Sequence, residues 1–301
     1  MKLILTGSLG NIGKPLTKLL VNEGHQVTVI SSKKERIPEI ESLGAVAAIG
    51  SIQDAEFLTG TFKGADAVYL MEAWEGIGSL FNKEIDFLAE FKKIAGNYVT
   101  AVQRSGVKKI IHLSSIGAHS DKGNGSLLVH YYVEQILRTL PEEFSIKFMR
   151  PVGFFSNIYR WIPTLQSQGK IIQSYGGEQK EPWVSPYDIA ATIANEMEKP
   201  FIGRTVHYIA SDEVSPNEIA AALGQSIDDP DLEWKVITGE ELLHQMLSAG
   251  INEWIAKGLV AMQKAQGDGS LYEDFYTHKP ELGHIKLKDF AKEFAQVYNN
   301  R

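Results

Sequence analysis

Short apolar runs alternate with amphipathic stretches through the first half of the chain. KLILT, QVTVIS, AVAAIG, AVYLM, KKIIHLS and IKFMR are apolar on both faces, as strands buried inside a parallel sheet are. Between them, residues 12–23, 54–62, 83–105 and 126–140 repeat their apolar positions at helical spacing. Strict alternation of strand and helix predicts an α/β fold, a doubly wound parallel sheet covered by helices on both faces. Past Pro151 the rhythm loosens. Residues 157–168, 186–198, 215–224, 239–249, 252–265 and 286–298 read as helices, and GRTVHYIAS as one more strand. The expected organisation is a Rossmann-type domain over residues 1–155, completed by segments within 180–211. Residues 156–301 would form a smaller, mostly helical C-terminal lobe facing substrate or partner.

Composition changes this picture little. The 301 residues are 44% hydrophobic and 22% charged, ordinary for a globular protein. A net charge of −7 argues against a nucleic-acid surface, which needs a basic face. With no cysteine, disulfides, thiolate metal sites and a cysteine nucleophile are excluded, and no metal site is expected. MKLILTG runs straight into the first strand, so no leader is expected. No apolar run approaches the ~18 residues of a membrane span. A cytoplasmic protein acting on a small molecule, without membrane or nucleic-acid partners, is the expectation.

The chemistry gathers at the turn after the first strand, T-G-S-L-G-N-I-G. Gly7, Gly10 and Gly13 stand at a strand-to-helix turn, where glycine permits a tight bend and lets backbone approach a pyrophosphate. The helix N-terminus adds N–H donors and the positive end of its dipole. Thr6, Gly7, Ser8, Gly10, Asn11, Ile12 and Gly13 are therefore the candidate dinucleotide-binding residues. After the second strand, an NAD site usually offers a carboxylate to the ribose 2′-hydroxyl. Here the chain has Ser31, Ser32, Lys33, Lys34 and Arg36. Hydroxyls and cations suit a 2′-phosphate, so Ser32, Lys33 and Arg36 favour NADP, with NADPH the preferred form, over NAD. Met71 and Trp74, after the fourth strand, would border the cofactor groove, Trp74 on the substrate side. Ser114 and Ser115, at the carboxyl end of the fifth strand, are placed for cofactor and substrate contact by topology.

The spacing T-G-x-x-G-x-x-G, the LSS after the fifth strand, the HYYVEQIL helix and MRPVGFFSN together resemble the NmrA-like family of the atypical short-chain dehydrogenase/reductase superfamily. The resemblance spans most of residues 1–215. It implies an NAD(P)-binding Rossmann fold and places Pro151, Phe154 and Phe155 over the nicotinamide, the two rings suiting a planar substrate. Typical members carry a Tyr-x-x-x-Lys pair on the helix near residue 130. Here Tyr131 is followed at that spacing by Gln135, and no lysine occurs between Lys122 and Lys147. An unassisted tyrosine stays near pKa ~10 and is a poor base at neutral pH. The helical wheel puts Val129, Val133, Ile136, Leu137 and Leu140 on one stripe, with His130 and Glu134 on its flank, one turn apart. His-x-x-x-Glu recurs here among NmrA-like relatives, which makes His130 the candidate proton-transfer residue, Glu134 its partner and Tyr131 a lesser candidate. A histidine beside an apolar stripe also serves as an ordinary structural residue. Asp188 is expected to cap its helix.

Two readings follow. One is an NAD(P)-dependent oxidoreductase, passing hydride to a small carbonyl, enone or quinone without the Tyr-Lys pair. The alternative is an NADP(H)-binding redox sensor without turnover, acting through a protein partner. A sugar epimerase, which needs the tyrosinate base, is disfavoured by Gln135.

Overall fold

The computed structural model describes residues 1–300. In the first half the elements are β1 (Lys2–Leu5), α1 (Gly13–Asn22), β2 (Gln26–Ser31), α2 (Ile37–Ser42), β3 (Val46–Ile49), α3 (Ala55–Phe62), β4 (Ala67–Leu70), α4 (Trp74–Ile77), α5 (Phe87–Ser105), β5 (Lys109–Leu113), α6 (Leu128–Leu137) and β6 (Ser145–Pro151). The second half adds β7 (Gly153–Phe154), α7 (Ile162–Gln168), β8 (Lys170–Gln173), β9 (Glu181–Val184), α8 (Pro186–Glu198), β10 (Arg204–Ile209), β11 (Asp212–Val214), α9 (Pro216–Ser226), β12 (Glu233–Val236), α10 (Gly239–Ser248), α11 (Glu253–Gly267), α12 (Glu273–Thr277) and α13 (Leu287–Asn299).

Seven strands form one sheet in the order β10-β6-β5-β4-β1-β2-β3, every pair parallel. Its strands are apolar on both faces because both are covered. Alternate side chains point to opposite sides: Leu3, Leu5, Tyr69 and Ile111 enter the core beneath α1 and α8. Ile4, Val68, Leu70 and Ile110 enter the core beneath α3, α5 and α6. The chain order reverses between β1 and β4, and the carboxyl ends there are where open α/β sheets bind ligands. No helix among the described residues is long and apolar enough to cross a membrane.

Where boundaries differ from the sequence pattern, the cause is local. The helix expected from residue 83 starts at Phe87, because Asp86 accepts the Ala89 amide and caps it. It stops where Gly106 turns left-handed at φ +81°. The C-terminal region carries more strand than its pattern suggests. β7, β9 and β11 form a small sheet, and β8 pairs with β12. These strands have two to four residues, too few to display a period. Asp188 does not cap α8. Ser185 does, accepting the Tyr187 amide, while the buried Asp188 accepts from Ser211 Oγ at 2.6 Å and the Ile285 amide at 2.9 Å.

Candidate nucleotide-binding site

The β1–α1 turn opens onto a cleft whose lining joins Gly7–Gly10 to Ile30–Lys33, Arg36, Gly50–Ile52, Ala73 and Gly76. Gly7 and Ser8 both take the left-handed backbone, at φ +86° and +54°. A serine is held there by two bonds: its amide donates to Ile30 O at 3.1 Å and its hydroxyl to Ser31 Oγ at 3.0 Å. The other glycines differ in what fixes them. A side chain at Gly13 would run into the Ser8 carbonyl oxygen, and one at Gly7 into the Met71 thioether. At Gly10 the nearest atom to an added Cβ is the Gly7 oxygen, 3.8 Å away. The protein itself leaves room at Gly10; the lack of a side chain matters only to something that approaches from the cleft.

The α1 N-terminus has no side-chain cap and no acidic residue in its first turn. By contrast α3, α5, α8 and α9 are capped by Asp54, Asp86, Ser185 and Ser215. Within the first turn the Lys14 amide donates to Gly10 O at 3.1 Å, the Leu16 amide to Ile12 O at 3.0 Å, and Pro15 has no N–H, so what α1 offers an anion at its start is the Gly13 amide and the positive end of its dipole. At the cleft's other end Ser32 and Lys33 are exposed and no carboxylate is among the lining residues. Arg36 is ion-paired with Glu39, which also binds Lys14 at 2.8 Å. The two cations hold the Glu39 carboxyl below its usual range. These residues fit a dinucleotide: backbone donors for a diphosphate, a bare glycine for close approach, and hydroxyl and cation for a 2′-phosphate.

Gly7, Ser8, Gly10, Ser32, Lys33 and Arg36, all named from sequence, therefore share the cleft. Several other candidates do not reach it. Thr6 is buried, its hydroxyl accepting the Met71 amide at 2.8 Å, so it ties β1 to β4. The Ile12 side chain enters the core, Asn11 faces a different cavity, and Gly13 lies buried against Ser8. Met71 is half-buried beneath Gly7, and its carbonyl accepts from Tyr98 Oη at 2.6 Å. Trp74 packs its ring edge-on to Phe91 at 4.6 Å, while its neighbours Ala73 and Gly76 face the cleft. Sequence reasoning did not name Leu9, Ile30, Gly50, Ser51, Ile52, Ala73 or Gly76 as site residues. Gly50 was the available signal, a glycine at the end of β3.

At the carboxyl ends of β5 and β6 the candidates are knitted together rather than open. Ser114 is buried and donates to Glu134 Oε1 at 2.6 Å. Arg150 grips the same carboxylate twice, Nε to Oε1 at 2.9 Å and Nη2 to Oε2 at 2.8 Å. Burial alone would raise the Glu134 pKa, but Arg150 and Ser114 outweigh it and hold the carboxyl below its usual range. Glu134 is thus the partner of Arg150, not of His130, and Ser114 is engaged in that network. Pro151 is buried, its carbonyl taken by the Ile116 amide at 2.9 Å.

His130 packs edge-on against Phe91, with its Nδ1 buried and unpartnered. Enclosure lowers its pKa to about 4, against the opposing pull of Glu72 and Glu134, so the ring is neutral at pH 7. Tyr131 lies half-buried, edge-on to Tyr132, whose ring sits 3.8 Å below the Lys92 ammonium. Lys147 is buried far along β6 with Glu196 at 2.9 Å and supplies no substitute for the missing lysine. Beneath the sheet edge lies a buried pair that the sequence did not announce, His112 Nε2 and Glu72 Oε2 at 3.2 Å. Ser115 and Phe154 are half-buried near the sheet edge. Phe155 is not available to a substrate: it is fully buried, stacked between Trp183 and Phe290 in the C-terminal core.

Comparison with known proteins finds the same kind of fold. Residues 7–153 match the sequence model of an NAD(P)H-binding family. An uncharacterised protein of Schizosaccharomyces pombe is 24% identical over 250 residues, covering 76% of this chain and 82% of that one. Among solved structures, an NADPH-dependent quinone oxidoreductase from Escherichia coli, complexed with NADPH, superposes with a TM-score of 0.79 at 19% identity, covering 99% of this chain and 100% of that one. The triphenylmethane reductase of Citrobacter sp. gives 0.78 at 17% identity, covering 98% and 100%. The match of residues 7–153 to an NAD(P)H-binding family thus goes with a fold that, over the whole chain, is like that of solved NAD(P)-binding reductases.

Proposed function

We propose that the protein is an NADP(H)-dependent oxidoreductase that reduces a small carbonyl, enone or quinone, with quinones the best suited. The observation carrying this reading is the cleft itself: an uncapped α1 N-terminus, a glycine the protein does not need for its own packing, and a carboxylate-free end with Ser32 and Lys33. The solved reductases of the same fold support it. A bound nicotinamide would supply the hydride. The Gly7–Gly10 turn would hold its diphosphate, and Ser32, Lys33 and Arg36 its 2′-phosphate, the last after release from Glu39. His130 is neutral at pH 7, its Nδ1 without a partner, and is not a store of protons. Glu134 is engaged by Arg150 and Ser114 and moves no proton. Acceptors whose reduced oxygens take their protons from water therefore fit best, and quinones are such acceptors.

One observation favours the second reading, a nucleotide sensor: no lysine follows Tyr131 at the spacing of the Tyr-Lys pair, and His130 beside it has its pKa lowered to about 4 by burial. Titrating the protein with NADPH, NADP+, NADH and NAD+, read by quenching of its five tryptophans, separates the two when paired with a turnover assay. NADPH oxidation by a quinone supports the reductase. Binding without turnover on quinones, enones or aldehydes, and with unequal affinity for oxidised and reduced forms, supports the sensor, since a ligand shifts an equilibrium only by differential binding. Binding of none of the four overturns both.

A further inference from the structure

A second cavity shares only Leu9 and Gly10 with the nucleotide cleft. At about 480 Å³ it is more than twice the volume of that cleft, about 210 Å³, and falls in the range of small-molecule sites. α1, the start of α8 and the face of α13 enclose it. Three rings line it, Tyr159, Tyr187 and Phe290. Tyr187 is 54% exposed, a large aromatic left in solvent beside an apolar hollow. Lys14 and Lys18 stand one turn apart on α1 along the wall. Lys14 is engaged by Glu39 at 2.8 Å, whereas Lys18 has no ion pair among the described residues. Glu293, the one carboxylate lining the cavity, accepts from Tyr159 Oη at 2.7 Å. An ammonium without an ion pair therefore borders an apolar, ring-lined hollow that shares only Leu9 and Gly10 with the nucleotide cleft.

We infer that this cavity is a second ligand site, built for a small aromatic anion whose ring packs against Tyr187 and Phe290 and whose carboxylate or sulfonate meets Lys18. The site stands independently of the oxidoreductase reading. The probe is 1-anilinonaphthalene-8-sulfonate, whose fluorescence rises in apolar surroundings, beside its uncharged analogue N-phenyl-1-naphthylamine. Both are titrated into the full chain with and without saturating NADPH. One sulfonate per chain is expected to bind in either condition, with the neutral analogue weaker by on the order of tenfold. Lys18→Glu is expected to lower sulfonate affinity by a similar factor, and Tyr187→Ala to lower both probes, with melting curves unchanged because both side chains are exposed. Displacement of the probe by NADPH would assign it to the nucleotide cleft and overturn the inference. Equal affinity for the neutral analogue, or indifference to both substitutions, would overturn it too. Failure of NADPH to bind would count against the oxidoreductase reading alone, since the two variants still report on this cavity.

Discussion

Replacing each glycine of the β1–α1 turn by alanine separates what the fold needs from what a ligand needs. At Gly10 an added Cβ meets nothing nearer than 3.8 Å, and the backbone lies outside the left-handed region. Gly10→Ala should leave stability intact or raise it by about 0.4–1 kcal/mol, through the smaller freedom of the unfolded chain. For a chain of this size that is a shift of roughly 1–3 °C in Tm. The same methyl stands where a diphosphate must approach backbone amides. Weakening two charge-assisted hydrogen bonds, each worth about 1.5–3 kcal/mol, predicts a loss of NADPH affinity of about a hundredfold or more. Gly13→Ala and Gly7→Ala should behave differently. The first drives a methyl into the Ser8 carbonyl oxygen; the second meets the Met71 thioether at a φ of +86°. Overpacking of this kind costs about 1–3 kcal/mol, and a left-handed alanine about 1–2 kcal/mol more. Tryptophan quenching gives the affinities and thermal melts the stabilities. A Gly10→Ala protein that binds NADPH like the wild type would refute the assignment of this turn to the diphosphate.

Three further substitutions probe the neighbouring groups. Arg150→Met leaves the buried Glu134 carboxylate with Arg138, 3.4 Å away, as its one remaining cation and should cost up to about 3–5 kcal/mol in denaturant melts. Adding Glu134→Gln should restore most of it, and a double variant no better than the single would show that the charge pair is not the source. His130 is charged in the unfolded chain below about pH 6.5 but stays neutral when folded until about pH 4. The unfolded state thus binds the extra proton, and stability should fall by up to about 3 kcal/mol as pH drops through that window. His130→Phe should flatten this slope between pH 6.5 and 5; an unchanged slope assigns the loss to another group. Lys33→Glu should weaken NADPH on the order of tenfold while sparing NADH, and equal loss of both would remove Lys33 from contact with the 2′-phosphate.

How far the site was legible depends on how local each requirement is. The glycines, the apolar runs and the missing acid after β2 are backbone and composition features, set by residues adjacent in sequence. They located the sheet, the turn and the basic end of the cleft. Direction of a side chain is decided elsewhere. Thr6 reads as a loop hydroxyl until the Met71 amide, just past β4, arrives to donate to it. Phe154 and Phe155 are adjacent, but β7 ends at Phe154 and the chain turns at Phe155 into a 3-10 helix that carries this ring into the C-terminal core. His130 and Glu134 share a helix flank, yet the partner of Glu134 comes from β6, sixteen residues on, and no wheel of α6 contains it. The second cavity gathers residues from Leu9 to Glu293, which no local pattern could join.

The fate of the missing Tyr-Lys pair follows from that same network. Ser114 ends β5, Glu134 lies on α6 and Arg150 on β6, so the hydrogen bonds among them fasten three neighbouring elements at the edge where chemistry is expected. Side chains that could have exchanged protons hold the frame instead, and His130 is enclosed, its pKa lowered to about 4, so that it is neutral at pH 7. Such a site has no general acid to tune, so turnover should not report one. With a quinone acceptor, kcat is expected to stay level through pH 6.5, where an ordinary histidine titrates. A break near that value, abolished by His130→Gln, would mean that His130 opens to solvent in the working enzyme and carries the proton after all. A level profile that persists in His130→Gln leaves water as the proton source, and the absence of the lysine then matches the absence of any need for it.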